Sequence, residues 1–177
     1  PLYSESLEQE GQERANLFAS TAFAVMLWGL LGFILLAMLA MPWIIYAIAP
    51  GFHGDSVRYE LAVDLSRVTF PYLLLISLTA LLGGMLNAHE RFAPFAAAPI
   101  FFNLSLIGAL LLSGRFETPG HAMAWGILVA GVIQFALLLV CAKRAGMVLR
   151  PVRPRLTIRI RRLFKLMGPG VIGAGVM

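Results

Sequence analysis

Residues 17–49 read LFASTAFAVMLWGLLGFILLAMLAMPWIIYAIA, and the surrounding interval 15–54 holds no Asp, Glu, Lys or Arg across forty residues. A helix over 17–49 rises about 50 Å, whereas the hydrocarbon core of a bilayer is roughly 30 Å thick and needs about 20 apolar residues. A soluble helix of this length would carry a polar face. Working outward, charge-free intervals recur at 68–89, 92–114 and 118–142. The whole chain is 59% apolar and only 13% charged, with mean hydropathy +0.83. Soluble domains run at about a quarter charged. These residues predict an all-α, polytopic transmembrane bundle and exclude an ordinary water-soluble domain.

Helices are expected over 17–49, 56–88, 94–113 and 121–142. The excess length of the first must tilt or project into the interface, and Pro42 removes one of its hydrogen bonds. Ala49-Pro-Gly-Phe52 ends it, and Asp55 or Ser56 is placed to cap the next helix. That helix begins amphipathically, with Val57, Leu61, Leu65 and Val68 on one face and Glu60, Asp64 and Arg67 on another. It then enters the membrane at Pro71. Ala80, Gly84 and Ala88 form a small-residue stripe that predicts close helix approach. His89-Glu-Arg91 links to a third span that starts loosely at Pro94 and Pro99, and residues 114–120 link to the fourth. Ile158 to Leu166 reads as a short amphipathic helix, and Gly168-Pro-Gly170 as the opening of a fifth span. The polar residues 1–16 lack the pattern of a signal peptide. Both ends read as cut.

Fourteen Lys and Arg are divided unevenly. With four spans, segments 1–16, 87–93 and 143–165 share one side and carry eleven of them, leaving three on 50–68 and 113–120. The positive-inside rule places the basic side, with the first residue, in the cytoplasm. The 143–165 segment holds nine of these cations. Beside four spans it reads as a topology determinant touching anionic phospholipid headgroups, not as a nucleic-acid site.

No catalytic constellation is visible. His53, His89 and His121 fall at successive span ends on alternating sides, so no metal site is expected from them, and no nucleotide or redox-cofactor motif occurs. The lone Cys141 sits in an apolar run and is expected to pack. Asn103 and Gln134 are the main polar groups inside spans. Each must either bond across helices or line a wet cavity; a static interhelical bond is the reading favoured for Asn103. No charge lies at the centre of a span, so no ion relay is expected within this chain.

Phe70-Pro-Tyr-Leu-Leu-Leu-Ile-Ser-Leu78 and Leu82-Gly-Gly-Met-Leu-Asn87 resemble the bacterial lipid II flippase family MurJ, also called MviN. The likeness continues in order through Pro42-Trp43, Ala49-Pro-Gly-Phe52, Arg91-Phe92, Ala98-Pro99, Asn103, Ala124-Trp125, Gly131-Val-Ile-Gln134 and Met167-Gly-Pro169. It covers nearly the whole chain. The resemblance implies a fourteen-helix transporter of the multidrug/oligosaccharidyl-lipid/polysaccharide exporter superfamily, of which this chain would be helices three to six and the start of seven. Residues 1–142 would then be part of the N-lobe, 143–165 the cytoplasmic connection between lobes, and 166–177 the start of the next lobe.

The implied activity is flipping of lipid II from the cytoplasmic to the periplasmic leaflet by alternating access, without covalent chemistry or a cofactor. The family's substrate-binding arginines lie in helices one, two and eight and have no position here. What carries over is framework: Pro71, Gly83, Gly84, Pro99 and Asn103, with the cytoplasmic turn of Asn87 and Arg91. Competing readings are a related drug or polysaccharide-lipid exporter, and a membrane scaffold that transports nothing. The remainder of the same polypeptide is the expected partner in each transporting case.

Overall fold

The computed structural model describes residues 2–52, 54–150, 152–154, 157, 158, 160 and 162. Among them there is no strand. The helices are α1 (Leu2–Glu10), α2 (Gln12–Ile48), α3 (Ser56–Thr69), α4 (Tyr72–Ala88), α5 (Ala93–Ala96), α6 (Ala98–Leu111) and α7 (Pro119–Arg144). Among the described residues four helical segments are long and apolar enough to span a membrane: α2, α3 with α4, α5 with α6, and α7. The chain is thus a polytopic helical membrane bundle. His53 and the expected span opening at 168–170 lie outside the described residues. So does most of the amphipathic helix expected at 158–166, of which Ile158, Ile160 and Arg162 are helical.

Two expected helices are interrupted, and proline explains both. Pro71 has no N–H to return to the Arg67 carbonyl, so α3 ends at Thr69 and α4 restarts at Tyr72. Pro94 and Pro99 each stand at the start of a helix, where a missing N–H costs nothing, and the chain breaks between them at Ala97. Pro42, by contrast, stays inside a continuous α2 of 37 residues.

Caps fix the remaining ends. The Asp55 side chain accepts from Arg58 N–H at 3.0 Å, and Thr118 accepts from His121 N–H at 3.3 Å. Helix α7 ends in a Schellman turn. Gly146 takes φ 80°, Met147 N–H bonds the Ala142 carbonyl, and Gly146 N–H bonds that of Lys143, each at 3.1 Å. The same pattern closes α4, where Arg91 N–H reaches the Leu86 carbonyl at 2.9 Å, but there the left-handed position is Glu90 at φ 59°.

Helix α7 is the central post, packing on α3, α4 and α6. Its buried row, Ala122, Gly126, Ala130, Gln134, Leu138 and Ala142, repeats every four residues. An i±4 row is inclined to the helix axis, so one row serves different neighbours along its length. Two apolar cores result. One joins Ala15, Phe18, Ala19 and Ala22 of α2 to Leu82, Met85 and Leu86 of α4 and to Leu138 and Ala142. The second is smaller and lies near the other end of α2, between Met41 and Ile45 and the α3 residue Val63.

Candidate functional site

The polar groups within the spans are few, and most are satisfied by their own helix. Thr79 Oγ1 donates to the Leu75 carbonyl at 2.7 Å and Ser105 Oγ to that of Phe101 at 2.8 Å. Gln134 behaves differently. It is 3% exposed, and its Nε2 donates to the Ala98 carbonyl at 2.8 Å, tying α7 to the first residue of α6. Its Oε1 is buried without a partner, as is Asn87 Oδ1 at the end of α4.

Asn103 does not make the interhelical bond favoured for it. Its side chain lies on an uncovered face of α6 and forms no hydrogen bond among the described residues. The bond between helices belongs to Gln134 instead, whose side chain extends from the buried row of α7.

Among the described residues, the close small-residue contacts lie elsewhere than on the Ala80, Gly84 and Ala88 stripe. Ala80 and Gly84 are uncovered, Ala88 is half-buried, and nothing lies within 4 Å of where a Gly84 Cβ would be. The close approaches occur at other glycines. A Cβ on Gly126 would stand 2.6 Å from Ala109 Cβ of α6, and one on Gly131 would stand 2.7 Å from the Tyr72 ring of α4. Gly83 faces the Phe95 ring, which folds α5 back onto α4. The row Ala122, Gly126, Ala130 has the same four-residue spacing as the stripe singled out on α4, so it could have been found by the same rule. Spacing alone cannot say which stripe meets a neighbour.

One end of the bundle gathers the segments that the basic count placed together. Tyr3 of α1 shares a 2.8 Å hydrogen bond with His89 Nε2, and the two rings lie 5.7 Å apart. Burial, and secondarily the Arg91 charge, hold the His89 imidazole below its usual pKa. Burial raises the Tyr3 phenol, with a hydrogen bond from Gln12 opposing it. Ser20, only 2% exposed, accepts from Arg150 N–H at 2.9 Å while donating to the Asn16 carbonyl at 2.7 Å. It thereby fastens the segment after α7 to the start of α2.

Between that segment and α2 runs a groove of about 520 Å³ lined by Gln12, Glu13, Arg14, Asn16, Leu17, Val148 and Arg150. A second hollow of about 390 Å³ continues it past Thr21 and Arg153. Arg14, Arg150 and Arg153 form no ion pair with another described residue, and the walls mix these cations with the Glu13 carboxylate and apolar Leu17 and Val148. The His121 ring lies at the first turn of α7, bonded through Nδ1 to Thr118 Oγ1 at 2.9 Å. Its helix end is opposite the one held by Tyr3 and His89, so these two histidines do not converge.

The sequence model of the family described as Lipid II flippase MurJ matches residues 1–177. A probable lipid II flippase MurJ of Rhizobium tropici is 38% identical, covering 99% of this chain and 34% of its own length. That of Rickettsia prowazekii is 34% identical over 99% of this chain and 34% of its own length. The lipid II flippase MurJ of Burkholderia cenocepacia is 30% identical, with 99% and 35% covered. The chain spans about a third of the length of these relatives. A match along every residue, carried by a helical membrane bundle of the expected span order, settles the assignment: this chain belongs to the lipid II flippase MurJ family.

Proposed function

We propose that the chain is the helix-three-to-six part of a transporter that flips lipid II from the cytoplasmic to the periplasmic leaflet of the bacterial inner membrane by alternating access. The family match over residues 1–177 carries this reading. In it, residues 1–142 belong to the first lobe, 143–165 form the cytoplasmic connection, and 166–177 begin the second lobe. The spans supply frame and wall, and the charges that bind the substrate's pyrophosphate come from the rest of the polypeptide. The absence of any Asp, Glu, Lys or Arg in 15–54 and 118–142 supports that division.

The uncovered Asn103 amide is assigned to the wall of the central cavity. Arg14, Arg150 and Arg153 are assigned to the cytoplasmic interface, where anionic phospholipid headgroups meet them at about 1 kcal/mol per cation. The test is rescue of a cell depleted of its own flippase by the full-length protein, with lipid II flipping measured in reconstituted vesicles. Rescue with flipping supports the reading. A folded, inserted protein that neither rescues nor flips overturns it in favour of a scaffold, and export of a drug without lipid II flipping points to the other exporter branch.

A further inference from the structure

The outer end of α2 and all of α3 form a hairpin with its own small core, and a proline stands at each root. Pro42 roots it in α2 and Pro71 separates it from α4. Pro42 supplies no N–H to the Met38 carbonyl four residues earlier. Such a site is where helices kink, and its freed acceptor is open to another occupant. Helix α3 provides that occupant. Arg67 Nε donates to the Met38 carbonyl at 3.4 Å, and Tyr59 Oη donates to the Pro42 carbonyl at 2.7 Å. Tyr59, Val63 and Arg67 are spaced by four along one face of α3, and Val63 between the two donors is buried against Met41 and Ile45. Two carbonyls one turn apart on α2 are thus held by two side chains two turns apart on α3.

Within this chain, about a third of the length of its relatives, α2 is lightly covered on either side of this clasp. Over residues 26–40, α2 buries only Ile34 and Ala37, and Gly29 and Gly32 have nothing within 4 Å. Beyond α2, the hairpin rests on the first turn of α7, where Leu65 Cδ1 sits 3.0 Å from a Cβ position on Gly120.

We propose that the 42–69 hairpin is a rigid unit that swings on Pro42 and Pro71 during transport, with Tyr59 and Arg67, which reaches across Pro42 to Met38, as positioning residues that hold the hairpin in one of its states. Its consequence for transport rests on the flippase reading; the hinge itself does not. Arg67 and Tyr59 act through the α2 backbone and touch no substrate in this account.

The experiment uses the full-length protein with spin labels at Ile48→Cys and Leu111→Cys, two uncovered positions on α2 and α6. Distance distributions, thermal midpoint and lipid II flipping are read together. Pro42→Ala restores the missing N–H, so it is expected to narrow the distance distribution and to raise or preserve the midpoint, yet to slow flipping at least tenfold. A purely structural proline would give no such split. Tyr59→Phe with Arg67→Met, which leaves the backbone untouched, is expected to broaden the distribution and decides the matter should Pro42→Ala fail to insert. Flipping by Pro42→Ala within twofold of wild type, or a distribution that neither variant changes, overturns the hinge. Wild-type protein that does not flip lipid II defeats the functional reading instead and leaves the distance measurement standing.

Discussion

Gln134 places a whole amide where water is excluded, and its two ends fare differently. The NH₂ group gains the Ala98 carbonyl, while the oxygen is buried unpaired. An unpaired buried acceptor costs about 1–3 kcal/mol, and interhelical bonds in membranes average only about 0.6 kcal/mol. Gln134→Leu keeps the volume and removes both terms, so its stability is expected to stay within about 1 kcal/mol of wild type. Gln134→Ala leaves a void against α6 and is expected to cost about 2 kcal/mol. Thermal unfolding in detergent measures both, and a Leu variant as damaged as the Ala variant would show that the amide itself holds α6 in place.

His89 has a sign that can be worked out. Its pKa is lowered in the folded state, so between that value and the ordinary 6.5 the unfolded state binds more protons. Stability then rises with pH through this window and is fully present above about 6.5. Acidification below the ordinary 6.5 is expected to loosen α1 from the turn, read as lower amide hydrogen-exchange protection at residues 2–10 once rates are divided by the intrinsic rate at each pH. His89→Gln, which cannot titrate, should flatten that response. An equal pH response in both proteins would assign it to other groups.

Among elements, α7 shows why small residues matter without a hydrophobic drive between helices in lipid: van der Waals contact has to come from close backbones. Gly131 provides a test at the contact with α4. An added methyl meets the Tyr72 ring and Leu75, with 3.2 Å to the Leu75 backbone-proximal Cβ. Gly131→Ala is expected to cost about 1–3 kcal/mol despite alanine's better helix propensity. Gly29→Ala, with open space around it, should be neutral or stabilising by a few tenths to about 1 kcal/mol. Folded yield and thermal midpoint of the pair separate packing from propensity. Reversal of their order would mean that α4 and α7 are held apart by contacts other than this one.

At the scale of the molecule, Tyr3–His89 and Ser20–Arg150 bind α1, the turn after α4 and the segment after α7 to one end. The count of basic residues, eleven against three, groups the same segments. Which side of the membrane that end faces follows from the positive-inside rule. An impermeant thiol reagent on intact cells is expected to spare His89→Cys and to label Gly54→Cys. The opposite pattern would invert the orientation.

Length and the spacing of charge determined the number of spans, their order and the grouping of their ends, because a bilayer admits charges only at its faces and backbone only as hydrogen-bonded helix. The sequence marks Pro71 as a membrane entrance and Pro94 and Pro99 as a loose start, within helices read as unbroken; the missing donor at each proline is the local reason for the interruptions. Only the tertiary structure decided between features that look alike in sequence. The α4 stripe and the α7 row share one spacing, and Asn103 and Gln134 one chemistry, yet among the described residues of this chain a single member of each pair meets a neighbour. Which face turns inward depends on helix rotation and register. Those are set by the sum of many weak contacts across residues far apart in the chain, and no local pattern contains that sum.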